Sequence, residues 1–209
     1  LRERGARVVG IEPNAEMRAV ASANGLDVRD AGADALPFED ASLDLVTAFQ
    51  SFHWFARPEV VAEFARVLRP NGRVAVVWNE RDDDDPFTRG YGDAVDGFAK
   101  RTIFAARNDV PRTPLDLLAE LFDPSAWTLR TGAFPHVQRL DREGLLGRVR
   151  STSYAPREGE AYERMSAELG RLYATFRDDR GTIALRMLAE TYVLDRTAGR
   201  ASSASEVRE

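Results

Sequence analysis

The sequence predicts an α/β fold built on a parallel sheet with crossover helices, and three observations carry that prediction. Short, largely apolar, β-branched runs recur at Ala6–Ile11, Leu43–Phe49 and Arg73–Trp78. Such runs suit parallel strands covered on both faces. Segments with helical spacing lie between them, each bounded by its own start and stop signals. Over the first 80 residues the order is strand, helix, strand, loop, strand, helix, strand, which calls for parallel neighbours joined by crossovers.

The elements follow in order. Leu1–Gly5 reads as the last turn of a helix closed by a glycine. With Leu rather than Met at position 1, this leads to the expectation that the chain starts inside a longer pattern. Ala6–Ile11 is a strand bounded by Gly5 and by Glu12-Pro13-Asn14. Asn14 stands where an N-cap belongs, ahead of a helix over Ala15–Asn24 with Met17, Val20 and Ala21 on one face. Asn24-Gly25 ends it. Leu26–Arg29 is a short strand, and Ala31–Ser42 is a loop containing Leu36-Pro37-Phe38. Leu43–Phe49 is the next strand. Pro58 opens a helix with Val60, Val61, Phe64, Val67 and Leu68 on one face, Pro70-Asn71-Gly72 ends it, and Arg73–Trp78 is a further strand.

Beyond Trp78 the pattern is less regular. Asp82–Asp85 is an acidic run. Tyr91–Arg107 and Pro114–Phe122 read as helices, the latter with Leu115, Leu118 and Leu121 or Phe122 aligned. Val137–Leu140 reads as a strand. Gly159–Phe176 reads as a long helix with Met165, Leu169, Leu172 and Phe176 on one face. Thr182–Leu194 reads as a final strand or hairpin, although Ala184–Glu190 also suits a helix. Ala198–Glu209 is small and polar, the composition of a disordered tail.

Composition narrows the function. Hydrophobic residues make up 44% of the 209 positions, enough for a core. The net charge of -5 argues against a nucleic-acid binder, which needs a concentrated basic face, and against a polybasic membrane anchor. Without cysteine there is no disulfide, thiolate nucleophile or Cys-ligated metal. Two histidines, His53 and His136, do not make a His-rich metal site, so no metal is expected. No apolar run approaches the ~20 residues needed to cross a bilayer, and no signal peptide is visible, so a cytoplasmic protein is expected.

In open parallel α/β sheets, ligands bind at the carboxyl ends of the strands. Those ends carry Glu12, Ala33-Asp34, Phe49-Gln50 and Asn79-Glu80. A carboxylate at Glu12 suits a ribose, accepting from both hydroxyls. It equally suits a solvent-facing strand end or a favourable charge near the next helix N-terminus, and it does not separate an adenosyl cofactor from NAD.

The motifs separate them further. Ala33-Asp34-Ala35-Leu36-Pro37-Phe38, then Asp40-Ala41-Ser42-Leu43-Asp44-Leu45-Val46, resembles the acidic residue, Leu-Pro-Phe loop and fourth-strand entry of small-molecule class I S-adenosylmethionine-dependent methyltransferases (the type 11-like family). Arg66-Val67-Leu68-Arg69-Pro70-Asn71-Gly72-Arg73 resembles that family's helix exit before its fifth strand. Phe52-His53-Trp54-Phe55 and Trp78-Asn79-Glu80-Arg81-Asp82 resemble a bacterial and fungal branch of it. The likeness is good over about Ala6–Asp85 and loose over Phe134–Arg196.

The resemblance implies a Rossmann-like methyltransferase sheet lacking its first strand and glycine-rich loop, with C-terminal helical lid elements. It implies a cofactor-binding core over 1–80, the C-terminal part of the same domain over 81–196 with substrate-side helices and the last strands, and a tail over 197–209. It implies S-adenosylmethionine as cofactor, with Glu12 on its ribose, Pro13 and Met17 on the adenine face, Ala33 and Asp34 at the adenine edge, and Phe49 and Gln50 beside the methionine moiety. Some relatives carry Asn where this chain has Phe49. Leu36-Pro37-Phe38 is expected to pack under the loop, and Asp44 to be structural. Trp54, Trp78, Asn79, Glu80 and Arg81 fall on the acceptor side. A first strand in this family lies mid-sheet, so without it the bare chain is expected to be unstable or to bind cofactor poorly.

Methyl transfer from a sulfonium is an in-line displacement whose electrophile comes from the cofactor. The protein aligns the partners and excludes water, and a base helps only where the acceptor must lose a proton. His53 is the candidate base, and the alternative is that it belongs to an aromatic wall. Asn79–Arg81 could orient a polar small-molecule acceptor or form a solvated loop, and Asp82–Asp85 reads as hydrated charge. Phe98, Phe104, Tyr162, Tyr173 and Phe176 suit a substrate wall or ordinary packing. Two other functions remain open. An NAD(P)-dependent oxidoreductase shares the strand-end carboxylate but not the Leu-Pro-Phe and Arg-Val-Leu-Arg-Pro motifs. A non-enzymatic methyltransferase-like remnant would fit the absent glycine loop.

Overall fold

The computed structural model describes residues 1–98, 113–152 and 155–197. The expectations for Phe104 and for the tail from Ala198 fall outside them, as does the last part of the helix read over Tyr91–Arg107. The chain forms two compact units. One comprises Leu1–Val77, Pro114–Thr131 and Tyr192–Glu209; the other comprises Trp78–Thr113 and Gly132–Thr191.

In chain order the elements are β1 (Gly10–Ile11), α1 (Ala15–Ala23), β2 (Val28–Arg29), β3 (Leu43–Phe49), α2 (Pro58–Val67), β4 (Leu68–Arg81), α3 (Pro86–Phe98), α4 (Pro114–Leu121), β5 (Trp127–Leu140), α5 (Arg142–Arg150), α6 (Gly159–Phe176) and β6 (Ile183–Arg196). The strands make two sheets. β1 and β2 pair in parallel, with Ile11 opposite Arg29. The second sheet has the order β3-β4-β6-β5, with β3 and β4 parallel and Phe49 opposite Val77. An irregularity between Leu43 and Leu45 absorbs Arg69–Gly72 of β4, where Asn71 takes a φ of 66°.

The first unit is built around α2. Its Val60, Val61, Phe64 and Val67 are all buried, as their spacing predicts, and Pro58 sits in its first turn, where a missing N–H costs nothing. Phe52 is fully buried and joins Phe55, Phe64 and Phe122 at ring centroid separations of 5.7, 6.4 and 6.1 Å. Trp127 meets Phe122 edge-on at 5.3 Å. Arg196 Nη1 donates to the Ala65 and Leu68 carbonyls, satisfying acceptors at the C-terminal end of α2.

The other half of this unit is thinly covered. α1 buries none of its residues, and Met17 and Val20 are both more than half exposed. Asn14 caps it as expected, accepting from the Glu16 and Met17 N–H groups. Ala6–Ile11 narrows to the two residues of β1. β3, whose composition suits two-sided burial, is mostly open, with only Ala48 buried. The reason is topological: β3 ends its sheet, so among the described residues one side lacks a paired neighbour.

The second unit packs α3, α5 and α6 around Phe87, Tyr91, Val95, Leu145, Val149, Met165, Leu169, Ile183 and Leu185. The structure shows α5, a helix not expected from the local pattern, and β5 begins at Trp127 rather than Val137. Ile183–Arg196 is one strand, not a hairpin or helix, because its alternating positions Ile183, Leu185 and Met187 enter the core. The acidic run is also more ordered than hydrated charge. Asp85 Oδ2 accepts from the Thr88 N–H and hydroxyl at 2.9 Å each, and Asp82 donates its N–H to the Arg186 carbonyl.

Candidate functional site

In the first unit the expected ligand residues gather at strand ends. Glu12 directly follows β1, and its Oε1 accepts the Asn14 N–H at 2.8 Å, which fixes the carboxylate above the start of α1. Pro13 is exposed, and Met17 lies on the first turn of α1. Ala33 and Asp34 form a turn after β2. Since β1 and β2 are hydrogen-bonded neighbours, Glu12 and the Asp34 turn follow adjacent parallel strands at their carboxyl ends.

Asp34 is held from two sides. Arg57 Nη2 donates to Oδ2 at 2.9 Å. Oδ1 lies so close to Gly32 that a Cβ there would be 2.5 Å away. Neither Arg57 nor Gly32 was apparent as a site residue from the sequence. The available signal was an arginine in the N-cap position before Pro58, where a short acceptor side chain is the rule.

Phe49 closes β3 and is 57% exposed, lining an open hollow of about 470 Å3 with Leu1, Arg2, Glu3 and Val8. Gln50 follows with a φ of 52° and donates its N–H to the Val77 carbonyl at 2.9 Å. A left-handed backbone at a non-glycine residue is held by its surroundings and often accompanies a ligand site. A single 3₁₀ turn, Phe52–Trp54, comes next. Its three aromatic rings separate by role: Phe52 enters the core, Trp54 is exposed, and His53 is half-buried with its ring 4.9 Å from that of Trp54. Burial lowers the His53 imidazole below its ordinary value, favouring the neutral ring.

The Leu-Pro-Phe loop does not enter the core as expected: Pro37 is exposed and Leu36 and Phe38 are half-buried, and the loop is tethered through its backbone instead. Glu63 Oε1 accepts the Leu36 N–H, and Arg66 donates to the carbonyls of Leu36 and Phe38. Asp44 pairs with Arg69 at 2.6 Å, consistent with a structural part.

In the second unit, Trp78 is buried in β4. Asn79 Oδ1 and His136 Nε2 are 3.1 Å apart. Glu80 keeps open surface, yet partial desolvation of its carboxyl, and then the charge of Glu190, raise it above the ordinary carboxylate value. Arg81 binds Asp96 at 2.5 Å, with its guanidinium laid against Gly92. Of the wall aromatics, Tyr162 and Tyr173 pack on the core, and Phe176 meets Phe87 at 5.8 Å. The Phe98 side chain lies outside the described residues. No group of three or more candidate metal ligands occurs among the described residues, and none of their helices is long and apolar enough to cross a membrane.

Comparison with known proteins agrees with this architecture. Residues 1–76 match the family described as "Methyltransferase domain". The chain is 34% identical over 168 residues to an uncharacterised methyltransferase-like protein of Schizosaccharomyces pombe, covering 79% of this chain and 62% of that one. It is 35% identical over 159 residues to the malonyl-[acyl-carrier protein] O-methyltransferase of Methylococcus capsulatus, covering 72% and 56%. A solved structure from Anaeromyxobacter dehalogenans, provisionally described as a type II methyltransferase, has the same fold with a TM-score of 0.59 at 19% identity, covering 92% of this chain and 80% of that one. This chain is similar to methyltransferases in sequence and in fold. It spans about three fifths of the length of these curated relatives.

Proposed function

We propose that this chain binds S-adenosylmethionine at the strand ends of its first unit and contributes to methyl transfer to a small-molecule acceptor. One observation carries the reading: Glu12 and Asp34 stand at the carboxyl ends of two neighbouring parallel strands. The donor set fits. Glu12 would accept from ribose hydroxyls, Asp34 from the exocyclic amine and the Ala33 N–H would donate to a ring nitrogen. Pro13 and Met17 offer apolar surface to the base. Phe49 and Gln50 would border the methionine moiety.

When bound, the cofactor would supply an electrophilic methyl group carried on a sulfonium. The chain's own part is to hold reactants in line and dry. Where the acceptor carries a proton, the neutral His53 imidazole takes it. Trp54, exposed on the same turn as His53, would border the acceptor. The named O-methyltransferase relative makes an oxygen acceptor a reasonable first choice among small molecules.

The test is a thermal-shift titration of the natural polypeptide carrying this chain, with S-adenosylhomocysteine and NADH in parallel. A ligand of the folded state alone stabilises by about 2.7 kcal/mol at a hundredfold excess over Kd. A shift with S-adenosylhomocysteine alone is expected. A shift with NADH instead would mean an oxidoreductase, and no shift with either would mean a non-catalytic remnant.

A further inference from the structure

Arg57 breaks a local rule. It is the N-cap residue of α2, where Ser, Thr, Asp, Asn or Gly is favoured because a short side-chain oxygen can accept an orphan N–H. Arginine has no acceptor, and Arg57 makes no capping bond. Its guanidinium turns instead to Asp34. The two side chains are 57% and 47% exposed, and ion pairs that open to water add little to stability. The helix thus gives up a cap for a contact of small value to the fold, a pattern that marks functional positions.

Gly32 completes the arrangement. Its φ is not in the left-handed region, so conformational freedom is not what requires glycine there. The orientation of Asp34 is what depends on it: a Cβ would sit 2.5 Å from Asp34 Oδ1, so the carboxylate would have to turn away. One carboxylate oxygen is held by Arg57, and a Cβ at position 32 would push the other out of its present place.

We infer that Arg57 and Gly32 form a clamp that aims the Asp34 carboxylate and thereby selects a 6-amino purine over a 6-oxo purine at the cofactor site. The inference rests on the proposed placement of the adenine edge at Asp34. Arg57 is a positioning residue in it. A carboxylate offers about four acceptor positions, so the pair with Arg57 leaves capacity for an exocyclic amine. An acceptor-only group facing a 6-oxo oxygen has no hydrogen to share, and binding sites discriminate strongly when a polar group is left unpaired. Arg57 also joins the turn after β2 to the start of α2, three residues past the Phe52–Trp54 turn, which couples the purine end of the site to the loop carrying His53.

The experiment measures Kd for S-adenosylhomocysteine and for S-inosylhomocysteine by calorimetry, on the natural polypeptide and on its Arg57→Gln, Arg57→Lys, Gly32→Ala and Asp34→Asn variants. The unaltered protein should prefer the adenosyl ligand by about tenfold or more. Arg57→Gln and Gly32→Ala should each reduce that ratio severalfold by weakening the adenosyl ligand alone, and Arg57→Lys should restore part of it. Unchanged ratios in both Arg57→Gln and Gly32→Ala, with Asp34→Asn abolishing the preference, would overturn the clamp but not the site. An unchanged preference in Asp34→Asn would overturn the placement of adenine, and the clamp with it. Melting curves show whether each variant folds; Arg57→Gln, a substitution of an exposed residue, keeps the test open if Gly32→Ala does not fold.

Discussion

Arg66 Nη1 donates to the carbonyl oxygen of Phe38 at 2.9 Å, joining two motifs that stand 28 residues apart. The same guanidinium reaches the Leu36 carbonyl and Asp40, while Glu63 accepts from Arg66 and from the Leu36 N–H. The Leu-Pro-Phe loop and the Arg-Val-Leu-Arg-Pro helix exit are therefore two halves of one hydrogen-bonded structure. Arg69 repeats the connection by pairing with Asp44. The loop held this way is the one that carries Asp34.

Glu63 is the replaceable member of that network. Arg66 holds the Glu63 carboxyl below its ordinary value, chiefly through their hydrogen bonds. A carboxyl depressed on folding adds stability above its unfolded value near 4.5, and that contribution is lost as pH falls through the lower folded value. Glu63→Gln should cost about 1.5–3 kcal/mol at neutral pH, the range for a hydrogen bond to a charged group. The difference from the unaltered protein should shrink below pH 4.5, as read from urea midpoints across pH.

His53→Ala tests the proposed base. Because burial lowers the His53 imidazole from 6.5, the ring is neutral at pH 7 and gains its proton only at lower pH. Replacement should reduce kcat by about a hundredfold for a hydroxyl acceptor and remove the acid limb of the kcat/KM profile. Unchanged turnover across pH would assign His53 to the wall of the site.

Gln50→Gly should separate stability from binding. A non-glycine residue in the left-handed region costs on the order of 1 kcal/mol or more, partly offset by the chain freedom of glycine. Raised melting temperature with weaker S-adenosylhomocysteine binding is expected. A lower melting temperature would mean that the side chain contributes more than the backbone strain it imposes.

The open edge of β3 should make these 209 residues, expressed alone, prone to self-association. Leu45 is 40% exposed and Phe49 57%, on a strand at the end of its sheet. Leu45→Lys should shift light-scattering mass toward monomer, since charge on an edge opposes strand addition. Equal mass for both proteins at matched concentration would show that this edge does not drive association.

The α/β class, the order of the first strands and helices, and the buried face of α2 were legible in the sequence, because they depend on periodicity and punctuation within short windows. Val60, Val61, Phe64 and Val67 are spaced for one helical face, and Asn14 and Pro58 mark starts by local backbone chemistry. The strand-end positions of Glu12, Asp34 and Gln50 followed from that order. What only the tertiary structure decided depends on contacts distant in sequence. Helix α5 forms under Leu145 and Val149, whose burial in the second core outweighs a weak local pattern. The openness of β3 reflects which neighbour pairs with it, not its own apolar residues. The Asp34 carboxylate meets an arginine 23 residues away and lies where a Cβ on Gly32 would stand, and no spacing rule in one dimension encodes that meeting.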